Sequence, residues 1–240
     1  MLIIYALVAL LVGLSKSGIK GLGMLIVPLL AHAYGGKAST GILLPMLLIG
    51  DVFAVRYYNR HAVWRFIWLT LPPAVVGVLL ATWVGQYIDD AAFKKAISII
   101  VLGSLALLIY LERYPVKPEQ VEHPIVVSSI GLIGGFCTMI GNAAGPIMAV
   151  YLLSLRLPKN SFIGTAAYFF LLINLFKVPF HILSWKTITL ETLTLNLWAL
   201  PVILVGFWLG VRIVKRIPEQ AFRYFVMIMT GLVAIKLLIG

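Results

Sequence analysis

The chain has 240 residues, of which 62% are hydrophobic and only 11% are charged, and its mean hydropathy is +1.05. A soluble domain carries about 25% charged residues, so this composition excludes a water-soluble globular protein and indicates an integral membrane protein. The net charge of +11 then favours cations that flank apolar segments and meet anionic lipid head groups of the bilayer. We expect no nucleic-acid partner.

Ten apolar segments follow one another, five in each half of the chain. They run over 1–14, 22–34, 38–58, 62–88 and 92–111, and then over 124–138, 145–157, 161–182, 190–214 and 220–239. The first two of each half reach only about 20 Å at 1.5 Å per residue, short of the ~30 Å hydrocarbon core. They predict a broken, re-entrant-like helix pair, and the remaining three segments are long enough to cross.

Each helix pair is interrupted by a short stretch of glycine and small polar residues. The first stretch, 13–23, reads GLSKSGIKGLG, and the second, 141–145, reads GNAAG. Unpaired backbone groups in hydrocarbon cost several kcal/mol each, so such breaks persist where they line a polar cavity. The helix after each break points free N–H groups and a positive dipole end into that cavity. The two breaks therefore predict one anion site at the membrane midplane.

Both breaks supply candidate substrate-binding residues. Glycine lets the backbone approach a ligand, Lys20 supplies a full positive charge, and the matching position in the second break holds the amide of Asn142. The alternative is close helix packing through small residues three or four apart, a spacing that Gly141 and Gly145 also satisfy. The candidates are Gly18, Lys20, Gly21, Leu22 and Gly23, with Gly141, Asn142, Ala143, Ala144 and Gly145.

Asp51 is the sole acid well inside an apolar segment, and an intramembrane carboxylate indicates a functional site. It either binds and releases protons to couple transport to a gradient, or it pairs with Lys20 or Arg56. The corresponding region of the second half carries Asn174 and Lys177. Lys177 is either an anion ligand or an interfacial anchor.

Other cations lie near the ends of apolar segments. Lys16 belongs to the first break and either takes part in coupling or gating, or extends its ammonium group to the interface. Arg56, Arg60 and His61 stand beside tyrosines and a tryptophan, a combination typical of an interfacial belt. The functional alternative is a basic vestibule that collects anions.

The two halves align with each other. Gly23 corresponds to Gly145 at an offset of 122 residues, and after an insertion Pro72 corresponds to Pro201 at an offset of 129. We therefore predict two membrane repeats, 1–111 and 124–240, that form one transmembrane domain and are joined by a polar linker, 112–123.

The second repeat is predicted to be inverted, because a re-entrant pair and three crossings make an odd number. In that arrangement eleven Lys and Arg fall on one side and six on the other, leaving aside Lys16 and Lys20. The positive-inside rule then places both termini outside the cytoplasm.

The sequence resembles the sulfite exporter (TauE/SafE) family of membrane permeases over nearly its whole length. The resemblance rests on 13–23 leading into Val27-Pro28-Leu29-Leu30, on Tyr57-Tyr58-Asn59-Arg60-His61, on the duplicated halves and on the glycine-rich region from Gly131 to Gly145. It implies export of sulfite or small organosulfur anions driven by an ion gradient. Because Lys20 and Asn142-Ala143-Ala144 replace glycines of the family pattern, a sulfonate or a small carboxylate is equally compatible.

We therefore expect a secondary transporter of a small anion, working by alternating access in the bacterial cytoplasmic (inner) membrane with a proton or another ion as coupling partner. The alternatives are an anion channel and a membrane scaffold or accessory subunit. No enzyme activity, metal or cofactor is expected. Ser15 and Ser17 have no nearby His and acid, the four histidines lack metal-ligand spacing, and the single cysteine, Cys137, excludes an internal disulfide.

Overall fold

A computed structural model describes residues 2–17, 22–114, 121–213 and 219–239. All regular structure in these ranges is helical, which confirms the predicted all-α class, and each of the ten predicted segments coincides with one helix. The helices are α1 (Leu2–Lys16), α2 (Leu22–Tyr34), α3 (Gly36–Tyr58), α4 (Trp64–Tyr87), α5 (Asp90–Arg113), α6 (Pro124–Gly141), α7 (Gly145–Ser154), α8 (Lys159–Pro179), α9 (Leu190–Ile213) and α10 (Glu219–Ile239). A 3₁₀ turn, Asn59–His61, follows α3, and a π-helical turn, Phe180–Ser184, extends α8.

Six helical stretches of the described residues are long and apolar enough to cross a membrane: Gly36–His61, Trp64–Tyr87, Asp90–Tyr110, Pro124–Gly141, Lys159–Ser184 and Leu190–Arg212. Helices α1, α2 and α7 are short, as the sequence predicts. Helix α6 differs from the prediction. It continues past residue 138 to Gly141, and its 18 residues extend about 27 Å, close to the thickness of the hydrocarbon core. Its length therefore suits a full crossing rather than a half-helix.

Asn142 ends α6, because its φ of 50° is a left-handed conformation that asparagine adopts more readily than most residues. The Asn142 N–H donates to the Thr138 carbonyl at 2.9 Å, and the Ala143 N–H donates to the Cys137 carbonyl at 3.3 Å. The first of these bonds, from the left-handed Asn142 to the carbonyl four residues earlier, is the αL motif that closes many helices. The second break is thus built by local backbone geometry around a single asparagine.

Two helix crossings bring backbones into direct contact. A Cβ atom on Gly13 of α1 would lie 2.1 Å from the Ile203 carbonyl oxygen of α9, and one on Gly135 of α6 would lie 1.9 Å from the Ala74 carbonyl oxygen of α4. Only glycine fits at such distances. Gly13 and Gly135 are 122 residues apart, and Ala74 and Ile203 are 129 apart. The crossing of α1 with α9 therefore repeats in the crossing of α6 with α4, at the offsets that align the two halves.

Other helix contacts also relate corresponding helices of the two halves. Helix α3 packs against α8, and α5 packs against α10, so the third and the fifth helix of each half contact their counterparts. The short helices α2 and α7 both contact α5 and lie inside the bundle. This arrangement surrounds the described ends of α1, α2, α6 and α7 with long helices and places the second break in the interior.

Candidate functional site

The two helix breaks border one cavity of about 220 Å³. The first turn of α2 contributes Gly23 and Met24, and the second break contributes Asn142, Ala143 and Gly145. A Cβ atom on Gly23 or Gly145 would have no neighbour within 4 Å among the described residues. The backbone at the start of α2 and of α7 is therefore uncovered, and the first-turn N–H groups give this wall of the cavity a positive potential.

Lys16, the last residue of α1, forms an ion pair with Asp51 of α3. The Asp51 side chain is fully buried, the Lys16 side chain is 13% exposed, and both line the cavity. A Cβ atom on Gly50 would lie 2.8 Å from Lys16 Cγ, so the glycine leaves room for the lysine stem. The Lys16 ammonium also lies 5.2 Å from the centre of the Phe170 ring, within cation–π range.

This ion pair gives Asp51 a partner that the sequence did not suggest. Arg56 is exposed near the end of α3, five residues beyond Asp51 and on a different face of the helix. Lys20 lies outside the described residues. Lys16, which the sequence left between coupling or gating and an interfacial role, is the cation that contacts Asp51.

Asn174 and Lys177 of α8 extend the polar cluster. The Asn174 amide donates to the second oxygen of Asp51 at 2.8 Å, and the Lys177 ammonium donates to Asn174 Oδ1 at 3.1 Å. Lys177 also donates to the Thr138 carbonyl at 2.8 Å, to the Thr138 hydroxyl at 3.2 Å and to Asn142 Oδ1 at 2.5 Å. Its side chain is fully buried, so it is not an interfacial anchor. It ties α8 to the end of α6 and to the break itself.

The polar cluster carries an excess of positive charge. In the described part of the centre, two lysines, Lys16 and Lys177, face one carboxylate, Asp51. Charges at membrane depth are costly unless they are paired or serve a ligand. Lys16 and Asp51 line the cavity itself, and Lys177 lies behind its polar wall. The Lys16 ammonium and the starts of α2 and α7 suit an anionic ligand.

The remaining candidates fall outside the cavity wall that the structure describes. Leu22 and Ala144 are buried in the core, and a Cβ on Gly141 would be in ordinary contact with Ile97 and Val27 at 3.5 and 3.7 Å. Arg56, Arg60 and His61 are exposed at the end of α3 and in the turn after it, so the structure does not bring them to the cavity. Gly18, Lys20 and Gly21 lie outside the described residues.

Several wall residues were not predicted. The offset of 122 that aligns the two halves pairs Thr138 with Lys16. The internal alignment therefore pointed to Thr138 as a possible site residue. Ser15, considered only as a nucleophile, lines the cavity beside Lys16. Met148, Ile163 and Phe170 also line it, but apolar residues in an apolar sequence give no sign of such a role.

Membrane-length helices that enclose a charged cavity between interrupted helices define an integral membrane protein of the transporter class. A family model described as sulfite exporter TauE/SafE matches residues 5–237, nearly the whole chain. The chain belongs to this family, which comprises membrane permeases rather than enzymes. No curated protein and no solved structure gave a significant match.

Proposed function

We propose that the protein is a secondary transporter that exports sulfite or a small organosulfur or organic anion across the bacterial cytoplasmic membrane. The observation that carries the proposal is the cavity shared by Lys16 and the first turns of α2 and α7. The anion binds between the uncovered backbone at Gly23 and Gly145, with Lys16 as its charged partner. Gly18, Lys20 and Gly21 are further candidate ligands of the same anion.

The two halves act as inverted repeats that move against each other to open the site to either side in turn. Support comes from the repeated crossings, in which Gly13 meets Ile203 and Gly135 meets Ala74. It also comes from the pairing of α3 with α8 and of α5 with α10. A two-fold axis in the membrane plane would relate each of these contacts to its counterpart.

Asp51 couples the anion to a proton. Its carboxylate pairs with Lys16, so an incoming anion competes with it for the same ammonium group. Protonation of Asp51 removes the competing negative charge and frees Lys16 for the anion. Protonation of Asp51 therefore favours anion binding, and the affinity for the anion rises as the pH falls.

The proposal is tested with purified protein in detergent. Sulfite, sulfate, thiosulfate, methanesulfonate and small carboxylates are added in turn, and the melting temperature is measured. A ligand that binds only the folded state raises this temperature. We expect at least one small anion to do so in the wild type and to have a strongly reduced effect on Lys16→Met.

The matched control is Lys236→Met, which removes an exposed lysine of α10 and keeps the wild-type response. The rate of anion flux into proteoliposomes then separates a transporter from a channel, because an open channel passes ions far faster than a transporter turns over. Absence of any response to small anions in the wild type would overturn the proposal.

A further inference from the structure

The cavity has a polar end and a long apolar arm. Its polar wall consists of Ser15, Lys16, Asp51, Thr138, Asn142 and Asn174. The hydrogen bonds and ion pair of Asp51 and Lys177 join five of these six residues into one continuous cluster. The rest of the wall is almost entirely hydrocarbon, so the polar groups are concentrated at one end.

Along helix α8, the residues that line the cavity change from apolar to polar. Its wall residues begin at Phe162, pass through Ala166 and Phe170, and end at Asn174. Positions four residues apart lie on one helix face, so this stripe faces the cavity throughout. The thirteen residues from Phe162 to Asn174 span about 18 Å of helix. The arm is therefore far longer than the polar cluster alone requires.

The wall residues of helix α7 also lead from the polar cluster into the apolar arm, but on this helix the polar end comes first in the chain. Its wall residues begin at Gly145, next to the polar cluster, and continue through Met148 and Ala149 to Leu153. The apolar ends of both stripes adjoin the short connection between Ser154 and Lys159. Leu108 of α5 and Met227 of α10 complete the hydrocarbon wall. Methionine adapts its shape to a variable apolar ligand.

An inorganic anion uses only the polar end of this cavity. Sulfite is a small, strongly hydrated anion without a hydrocarbon tail, so it gains nothing from the arm and loses hydration where it touches hydrocarbon. An anion with an apolar tail fills both parts, with its head at Lys16 and its tail along α7 and α8. The volume of about 220 Å³ lies below the ~300–1,000 Å³ of pockets for drug-sized ligands, which favours a short tail.

We propose that the substrate is an amphipathic organic monoanion: a sulfonate or carboxylate head that carries an alkyl or aryl tail. This inference rests on the proposed function and specifies its substrate class. Lys16 is the one cation among the described residues that line the cavity, and it matches a single negative charge. The tail supplies the selectivity over inorganic sulfite.

The test is a series of linear alkylsulfonates from methane- to hexanesulfonate, titrated into the purified full-length protein and measured by calorimetry. Each methylene that enters the arm should tighten binding about fourfold, until the arm is full. Butanesulfonate should therefore bind far more tightly than sulfite. Uncharged 1-butanol, which has the tail without the head, should not compete.

Ala166→Leu is the matching variant, because it places an isobutyl group into the arm about 12 Å along α8 from Asn174 at the polar end. It should abolish the dependence on chain length and leave methanesulfonate binding within about twofold of wild type, the level expected for a side chain away from the head-group site. Ala106→Leu on α5 adds the same group at an exposed position and should keep the full dependence.

Three results would contradict the proposal in distinguishable ways. Wild-type affinity that does not change with chain length, with sulfite binding as tightly as butanesulfonate, would overturn the amphipathic substrate and leave anion transport intact. Tightly bound phospholipid in the purified protein, displaced stoichiometrically by hexanesulfonate, would assign the arm to lipid. Failure of every anion to bind would overturn the proposed function itself.

Discussion

Asn174 donates its side-chain amide to Asp51 Oδ2 across 2.8 Å, although 123 residues separate the two in the chain. Asp51 lies on α3 and Asn174 on α8, the third helices of the two halves. The other carboxylate oxygen of Asp51 accepts from Lys16 of α1. One buried carboxylate thus joins both halves of the molecule to the first helix break, and any movement between the halves changes its partners.

Loss of the Lys16 charge should destabilise the protein through the carboxylate left behind. In Lys16→Met, Asp51 retains only the Asn174 amide in a fully buried position, and breaking a buried pair in this way costs about 3 kcal/mol or more. The double variant Lys16→Met with Asp51→Asn removes the unpaired charge and should recover most of the loss. Thermal unfolding in detergent measures both. Equal melting temperatures for the single and the double variant would show that the ion pair does not contribute as described.

Asp51→Asn should remove the proton dependence of transport. The amide keeps the size of the side chain and an oxygen acceptor, but it does not titrate. We expect anion uptake into proteoliposomes to depend on an imposed pH gradient in the wild type and to be insensitive to it in the variant. The anion gradient is held constant in both. A variant that still accumulates anion against its gradient when a pH gradient is imposed would assign Asp51 to structure alone.

The repeated helix crossings predict a matched pair of destabilising substitutions. Gly13→Ala and Gly135→Ala each place a methyl group about 2 Å from a carbonyl oxygen of the crossing helix, and such overpacking costs about 1–3 kcal/mol. A lowered melting temperature is informative, because replacing glycine by alanine in a helix otherwise stabilises it by about 1 kcal/mol. Gly103→Ala, at an exposed position on α5 without a close described neighbour, is the control and should not lower the melting temperature. Wild-type melting temperatures for both crossing variants would refute the close approach.

Two substitutions at Asn142 separate its backbone role from its side-chain role. Asn142→Ala introduces a left-handed strain of about 1–2 kcal/mol at φ 50°, whereas Asn142→Gly adopts this conformation freely. Both remove the acceptor that Lys177 contacts at 2.5 Å. We expect the alanine variant to melt below the glycine variant, and both to bind anions more weakly than wild type. A glycine variant with wild-type affinity would show that the amide has no part in the site.

Composition and periodicity were sufficient to predict the ten helices and both breaks, because long apolar runs and glycine clusters act locally. The end of α6 was misplaced by three residues, since apolar residues up to Ile140 continue the helix and a single left-handed asparagine decides where it stops. The contact between Asp51 and Lys16 was not predicted for another reason. Lys16 is 35 residues away, and a sequence does not specify which of several cations a fold brings to one carboxylate.

The apolar arm of the cavity could not be predicted from the sequence either. In the sequence, Phe162 and Leu153 cannot be distinguished from apolar residues that face lipid. Only the packing of α7 against α8 places them on one wall with Asn174. The internal alignment of the halves, by contrast, contained the position of Thr138, which can be read from the offset that relates it to Lys16.

The most direct test of the central claim is anion binding to Gly23→Ala and Gly145→Ala, measured by calorimetry beside Gly103→Ala. A methyl group at either of the first two positions meets no described atom within 4 Å, so the fold and the melting temperature should be preserved while the methyl group covers the backbone at the anion site. The account predicts at least tenfold weaker binding in both variants, a loss of about 1.4 kcal/mol, and wild-type affinity in the control. Wild-type affinity in both Gly23→Ala and Gly145→Ala would contradict an anion site between the two helix breaks.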